Sequence, residues 1–171
     1  MEDRYSEVFT VPSHLVDGSK ALGAGNILHL FQELSFHGAA QLGCSEEYLE
    51  SLGYAWIFSR MHFIVERRPK IYETVRMETW SQGLEGLFLI RHYRILDEAG
   101  TPLIRGCSSC LTINLATRSL VRSDKVAAVS PYWEQNPLKA TSPAGKIVPC
   151  GEYAAEPLIS HRVMYSETDF V

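Results

Sequence analysis

Gly25-Asn-Ile-Leu-His-Leu-Phe-Gln-Glu-Leu-Ser-Phe-His-Gly-Ala-Ala-Gln-Leu-Gly43 is followed, after a short break, by Tyr54-Ala-Trp-Ile-Phe-Ser-Arg-Met-His-Phe-Ile-Val-Glu66. The change of period between these two stretches decides the fold. In the first, Ile27, Leu30, Phe31, Leu34, Gly38 and Leu42 recur at helical spacing, with Leu28 widening the stripe. Asn26 is a candidate N-cap and Gly43 a candidate stop. Gly38, Ala39 and Ala40 are small enough for another backbone to approach. In the second stretch the period is 2, with Ala55, Ile57, Ser59, Met61, Phe63 and Val65 on one face. The other face carries Arg60, His62 and Glu66, and also Trp56 and Phe58, two aromatics that a partner module would cover.

Working outward, Ser45–Leu52 reads as a short helix ended by Gly53. Arg67-Arg-Pro69 ends the first strand, and Glu73–Trp80 alternates again. Gln82-Gly-Leu-Glu-Gly86 reads as a turn, Leu87–Leu96 as a strand, Asp97-Glu-Ala-Gly100 as a hairpin loop and Leu103–Leu115 as another long strand. With a strand in Val8–Val16 at the front, the order is β-α-β-β-β-β. A buried helix inside a strongly curved antiparallel sheet is the hotdog architecture, an α+β fold.

The chain has 171 residues, 46% hydrophobic and 21% charged, enough for one core of ordinary size. No run of 18 apolar residues spans a membrane, and the acidic N-terminus resembles neither a signal nor a transit peptide. A cytoplasmic protein is the expectation. Cys44, Cys107, Cys110 and Cys150 are too scattered for a disulfide framework. Cys107-Ser-Ser-Cys110 lies in a strand, where positions three apart point to opposite faces, so it reads as inert thiols rather than a redox or metal site.

Charge is uneven: residues 1–59 balance to −6, residues 60–122 to +4 and residues 123–171 to −2. Arg67, Arg68, Arg91 and Arg94 belong to the basic middle, which suits an anionic protein partner; the alternative is ion pairing with Glu66, Glu73 and Glu78. The sequence pI of about 5.9 disfavours nucleic acid.

Several residues resemble the acyl-ACP thioesterases of fatty-acid synthesis (ACP, acyl-carrier protein). They include Gln32-Glu33 with His37, Trp56, Ser59-Arg-Met61, Arg68-Pro-Lys70, Glu73-Thr-Val75 and Glu78-Thr-Trp80-Ser. They continue through Gly83, Gly86-Leu-Phe88, Arg91, Arg94-Ile-Leu-Asp97, Gly100, Ser108-Ser109, Thr117-Arg118 and Val121-Arg122, so the likeness spans about residues 5–122. The resemblance implies two hotdogs joined by a linker. Residues 1–123 would be the first and 124–157, with five prolines, the linker. Residues 158–171 would open the second. There a strand-like run, Arg162–Tyr165, leads into Ser166-Glu-Thr-Asp169, similar in outline to Val11-Pro-Ser-His-Leu-Val-Asp17.

The function so implied is hydrolysis of the thioester between a fatty acyl chain and ACP. The family's catalytic Asp, Asn and His follow the first strand of the second hotdog. Asp169 matches the Asp, Val171 stands where the Asn is expected, and residues 1–171 alone are expected to be poorly active. Asp17 holds the corresponding place in the first copy. Phe31, Leu34, Met61, Phe63, Met77 and Leu89 are expected either to hold the acyl chain between helix and sheet or to form an ordinary core. Arg67, Arg68, Arg91 and Arg94 would dock the acidic carrier. No cofactor or metal is implied. A homodimer or an intramolecular hotdog pair is the expected assembly. Two alternatives stand beside this: a non-catalytic acyl-binding or dimerising module, and a single-hotdog acyl-CoA thioesterase using Asp17 or His37.

Overall fold

A computed structural model describes residues 4–122, together with 125, 136–146, 148, 160–162 and 164. In chain order it contains β1 (Tyr5–Thr10), a 3-10 turn (Ser13–Leu15), α1 (Ala24–Gln41) and α2 (Glu46–Ser51). Then follow β2 (Tyr54–Val65), β3 (Thr74–Glu85), β4 (Phe88–Leu96), β5 (Pro102–Asn114) and β6 (Leu120–Val121). The sheet is antiparallel in the order β1-β3-β4-β5-β2, with β6 pairing the far end of β5. The 18-residue helix α1, five turns long, packs on its inner face. This is the hotdog fold.

Helix α1 buries Ile27, Leu30, Phe31, Leu34, Gly38 and Ala39, so the stripe is as expected except at its margins. Leu28 is exposed, and Leu42 caps the C-terminus ahead of Gly43 at φ +73°. Asn26 is not the N-cap. Gly23 takes that place, and the Asn26 amide instead donates to the Leu15 carbonyl at 2.8 Å, fastening the helix start to the preceding turn. Ser45 does cap α2, accepting from the Tyr48 N–H at 3.3 Å.

Strand β1 starts earlier than the expected Val8–Val16, at Tyr5, and ends earlier, at Thr10, because Pro12 cannot continue a ladder. Strand β3 runs through the expected turn at 82–86. An extra residue, Gln82, is accommodated as a bulge between Ser81 and Gly83, and the hairpin turns at Gly86. A second bulge in β2, at Ser59, reverses a sequence expectation. Phe58 pairs with Cys110 while Arg60 pairs with Ser109, so the inward parity of β2 changes at that point. Trp56, Phe58, Met61 and Phe63 pair with Thr112, Cys110, Ser108 and Gly106, all on the inner face of β5. The two aromatics therefore share the face of β2 turned to the helix, where Phe58 is still 40% exposed.

The core gathers around Phe31, which is stacked on Tyr93 with ring centroids 4.5 Å apart and meets Phe63 edge-on. Gly106 makes this possible: a Cβ there would stand 2.5 Å from the Phe31 ring.

Part of the outer face is covered by the chain itself. The stretch 136–146 lies over it: the Trp80 indole donates to the Leu138 carbonyl at 2.7 Å, and His62 Nδ1 lies 2.9 Å from the Ser142 carbonyl. Beneath this strap Trp80, His92 and Cys107 are buried. Burial, with Lys139 adding to it, lowers the His92 pKa to about 4, and His92 Nε2 lies 2.8 Å from Gln82 Oε1. Unfolded histidine titrates near 6.5, so below that pH the unfolded chain takes up a proton that folded His92 refuses. The contribution is complete above pH 6.5 and is lost as pH falls toward 4. Denaturant melts should show stability dropping by about 2 kcal/mol between pH 7 and 5, above the range where carboxylates titrate, and His92→Gln should flatten that slope.

Candidate functional site

Strands β3, β4 and β5 present Met77, Thr79 and Ser81, then Leu89, Arg91, Tyr93 and Ile95, then Ile104, Gly106, Ser108 and Cys110 to the helix, as their register requires. Beside the first half of α1, around Ile27, Leu30 and Phe31, this face is filled. Further along, beside the second half of the helix, it is not. There a cavity of about 230 Å³ opens between Gln32, Ser35 and Phe36 of α1 and Trp56, Phe58, Leu89, Arg91 and Cys110 of the sheet.

The expected acyl-binding set falls mostly outside this cavity. Phe31, Leu34 and Met77 are buried in the core, Met61 and Phe63 pack against it partly exposed, and Leu89 alone of the six lines the cavity. The spacing identified the right face, but whether a side chain meets a neighbour or a void depends on Gly106 letting Phe31 sink into the sheet. Trp56 and Phe58 were missed as lining residues because nothing in the sequence marks the bulge at Ser59. Gln32, Ser35 and Phe36 lie along the side of the predicted helix that flanks its apolar stripe.

One wall of the site is polar. The Ser35 hydroxyl lies 2.8 Å from the Phe31 carbonyl, to which it donates, and 2.7 Å from the Tyr93 hydroxyl, which in turn lies 2.7 Å from Ser108 Oγ. Cys110 Sγ extends the chain at 3.8 Å from Ser108 Oγ. Burial raises the Tyr93 phenol well above its ordinary range and the Cys110 thiol to about 11, so both stay protonated as donors. Cys107, three residues away, points to the outer face, where burial lifts its thiol to about 12. Neither is a nucleophile at neutral pH.

The four arginines are not brought together. Arg67 forms a two-pronged pair with Glu73, at 2.8 and 2.6 Å. Arg68 pairs with Asp17 and donates to Ser19 Oγ at 2.9 Å. On β4, Arg94 points outward to Glu78 at 2.7 Å and lies over Trp80, whereas Arg91, three positions away, points inward and is buried. With Arg105 on Glu66, the ion-pair alternative accounts for Arg67, Arg94 and Arg105.

Asp17 is a turn residue. Ser19 donates to its carboxylate through both N–H and hydroxyl, Arg68 pairs with it, and together they hold its pKa far below the usual range, unsuited to a general base. His37 is exposed on α1, with Nδ1 3.0 Å from Glu7 Oε2, and the Tyr5 hydroxyl donates to the same oxygen at 2.7 Å. Asp169 lies outside the described residues, as does most of 158–171; Arg162 and Met164 are in no strand.

Comparison with known proteins bears on this geometry. A family model described as the acyl-ACP thioesterase N-terminal domain matches residues 2–128. An oleoyl-acyl carrier protein thioesterase of Arabidopsis thaliana is 30% identical over 131 residues, 71% of this chain and 36% of its own. One from Coriandrum sativum is 30% identical over 130 residues, 71% of this chain and 35% of its own. The chain thus spans about a third of the length of these curated relatives. Among solved structures, an acyl-ACP thioesterase from Bacteroides thetaiotaomicron superposes with a TM-score of 0.76 at 21% identity, covering 98% of this chain and 67% of that one. A 12:0-ACP thioesterase from Umbellularia californica gives 0.75 at 21% identity, covering 88% and 62%.

Proposed function

Because this chain belongs to the acyl-ACP thioesterase family, we propose that it is the N-terminal, acyl-binding half of an enzyme that releases free fatty acid from acyl-ACP in fatty-acid biosynthesis. The observation that carries this reading is the cavity between α1 and the sheet, walled by Phe36, Trp56, Phe58 and Leu89. A mostly apolar slot with a few polar groups on one side is the kind of site that takes a hydrocarbon chain. A thioester carbonyl also needs a base and a water, with donors for the developing oxyanion. In this reading a second hotdog supplies them, Asp169 among them, and residues 124–157 join the two domains. Arg67 and Arg68, partly exposed, meet the acidic carrier. Surface pairs such as theirs are worth only about 0–1 kcal/mol, so a carrier carboxylate can compete for them.

Phe58 supplies the test. It is 40% exposed and closes one side of the cavity, so Phe58→Ala should lengthen the slot without unfolding the domain. Binding measured across a series of saturated acyl-ACPs should shift toward longer chains, by about fourfold per additional buried methylene. An unchanged length preference would remove the cavity from the binding site.

A further inference from the structure

A hydrocarbon chain leaves one feature of this cavity unexplained. Arg91 lines it with only 8% of its surface exposed, and its guanidinium donates to the neutral Thr79 hydroxyl, at 3.3 Å. Among the described residues it forms no ion pair, although Arg4, Arg67, Arg68, Arg76, Arg94 and Arg105 all do. Helix α1 presses on it from above, since a Cβ on Gly38 would stand 2.7 Å from Nη1 and 2.8 Å from Thr79 Cγ2. The side chain is thus confined, desolvated and short of acceptors. Burial accordingly lowers its pKa, and the groups that act on it electrostatically are Tyr93, Cys110 and Cys44, none a carboxylate. A buried cation without an anionic partner is costly, and a guanidinium offers five donors in a rigid fork. Ser35 and Cys110, the two ends of the Ser35–Tyr93–Ser108–Cys110 chain, line the same cavity.

We propose that Arg91 selects acyl groups bearing an acceptor oxygen on the chain itself, an oxo group or a carboxylate, over plain saturated chains. The inference rests on the acyl-binding reading above, and it concerns what the chain carries rather than how long it is.

The test is calorimetric titration of the full 171-residue chain with three N-acetylcysteamine thioesters: octanoyl, 3-oxooctanoyl, and the half-thioester of suberic acid. At least one oxygenated probe should bind about tenfold or more tighter than octanoyl, the yield of one charge-assisted hydrogen bond, and Arg91→Met should erase the difference between the probes. The oxo and carboxylate arms show which acceptor is preferred. Octanoyl binding as tightly as both others, or a preference that survives Arg91→Met, overturns the inference and leaves the acyl-binding reading standing. Failure of all three to bind overturns both. Should Arg91→Met fail to fold, Arg91→Gln keeps a donor for Thr79 and should also lose the preference, and the wild-type comparison needs no variant.

Discussion

Phe31→Ala should remove about 3–5 kcal/mol from the stability of the domain, the usual cost of truncating a fully buried aromatic. Phe31 has no exposed surface, stacks on Tyr93, meets Phe63 edge-on and fills the space left by Gly106. Two of these neighbours are held in place. Tyr93 is tied to Ser35 and Ser108, and Gly106 is held by β5 pairing on both sides. The void should therefore persist rather than collapse, placing the cost toward the upper end of the range. Urea denaturation of the variant and wild type is the measurement. A loss below about 1 kcal/mol would mean that Phe31 does not anchor the helix to the sheet.

Asp169→Ala should lower kcat by about 100- to 10,000-fold in a form that carries the second hotdog, the span expected for a group that handles the proton in the reaction. The reasoning rests on the match of Tyr165-Ser-Glu-Thr-Asp169 to the start of that domain. Thiol release from an acyl-ACP thioester would be followed for the extended form and for residues 1–171, with Asp17→Ala as a control. Asp17, committed to Ser19 and Arg68, should cost no more than the stability of its turn. Full activity from residues 1–171 that ignores Asp169→Ala would move catalysis into the first hotdog.

The helix-in-sheet arrangement was legible because α1 and β2 differ in period, and burying an apolar stripe against an apolar face leaves few alternatives. Strand lengths were less legible. Gln82-Gly83 carries turn residues, yet β3 absorbs them as a bulge because pairing with β4 continues on both sides. The short β6 has no signal of its own, being defined only by two pairs at the end of β5. The site was read at the level of its face. Met77 and Leu89 both point inward as expected, but Met77 is jammed against its neighbours while Leu89 borders open space, a distinction set by how the helix seats. The inward turn of Arg91 follows from its position on β4, which alternates without interruption; its burial depends on Gly38 and could not be read locally.

The extra residue at Ser59 works as a shift of reading frame written into the backbone. Upstream of it the even-numbered positions of β2 belong to the interior, and downstream the odd-numbered ones do. Deleting Ser59 would leave every neighbouring residue unchanged in identity, yet it would transpose one half of the strand relative to the other. Either Trp56 and Phe58 would be expelled to solvent, or Met61 and Phe63 would be. An alignment that places a one-residue gap here is consequently not neutral bookkeeping, because a relative without the insertion must write its aromatic wall one position over to keep the same slot.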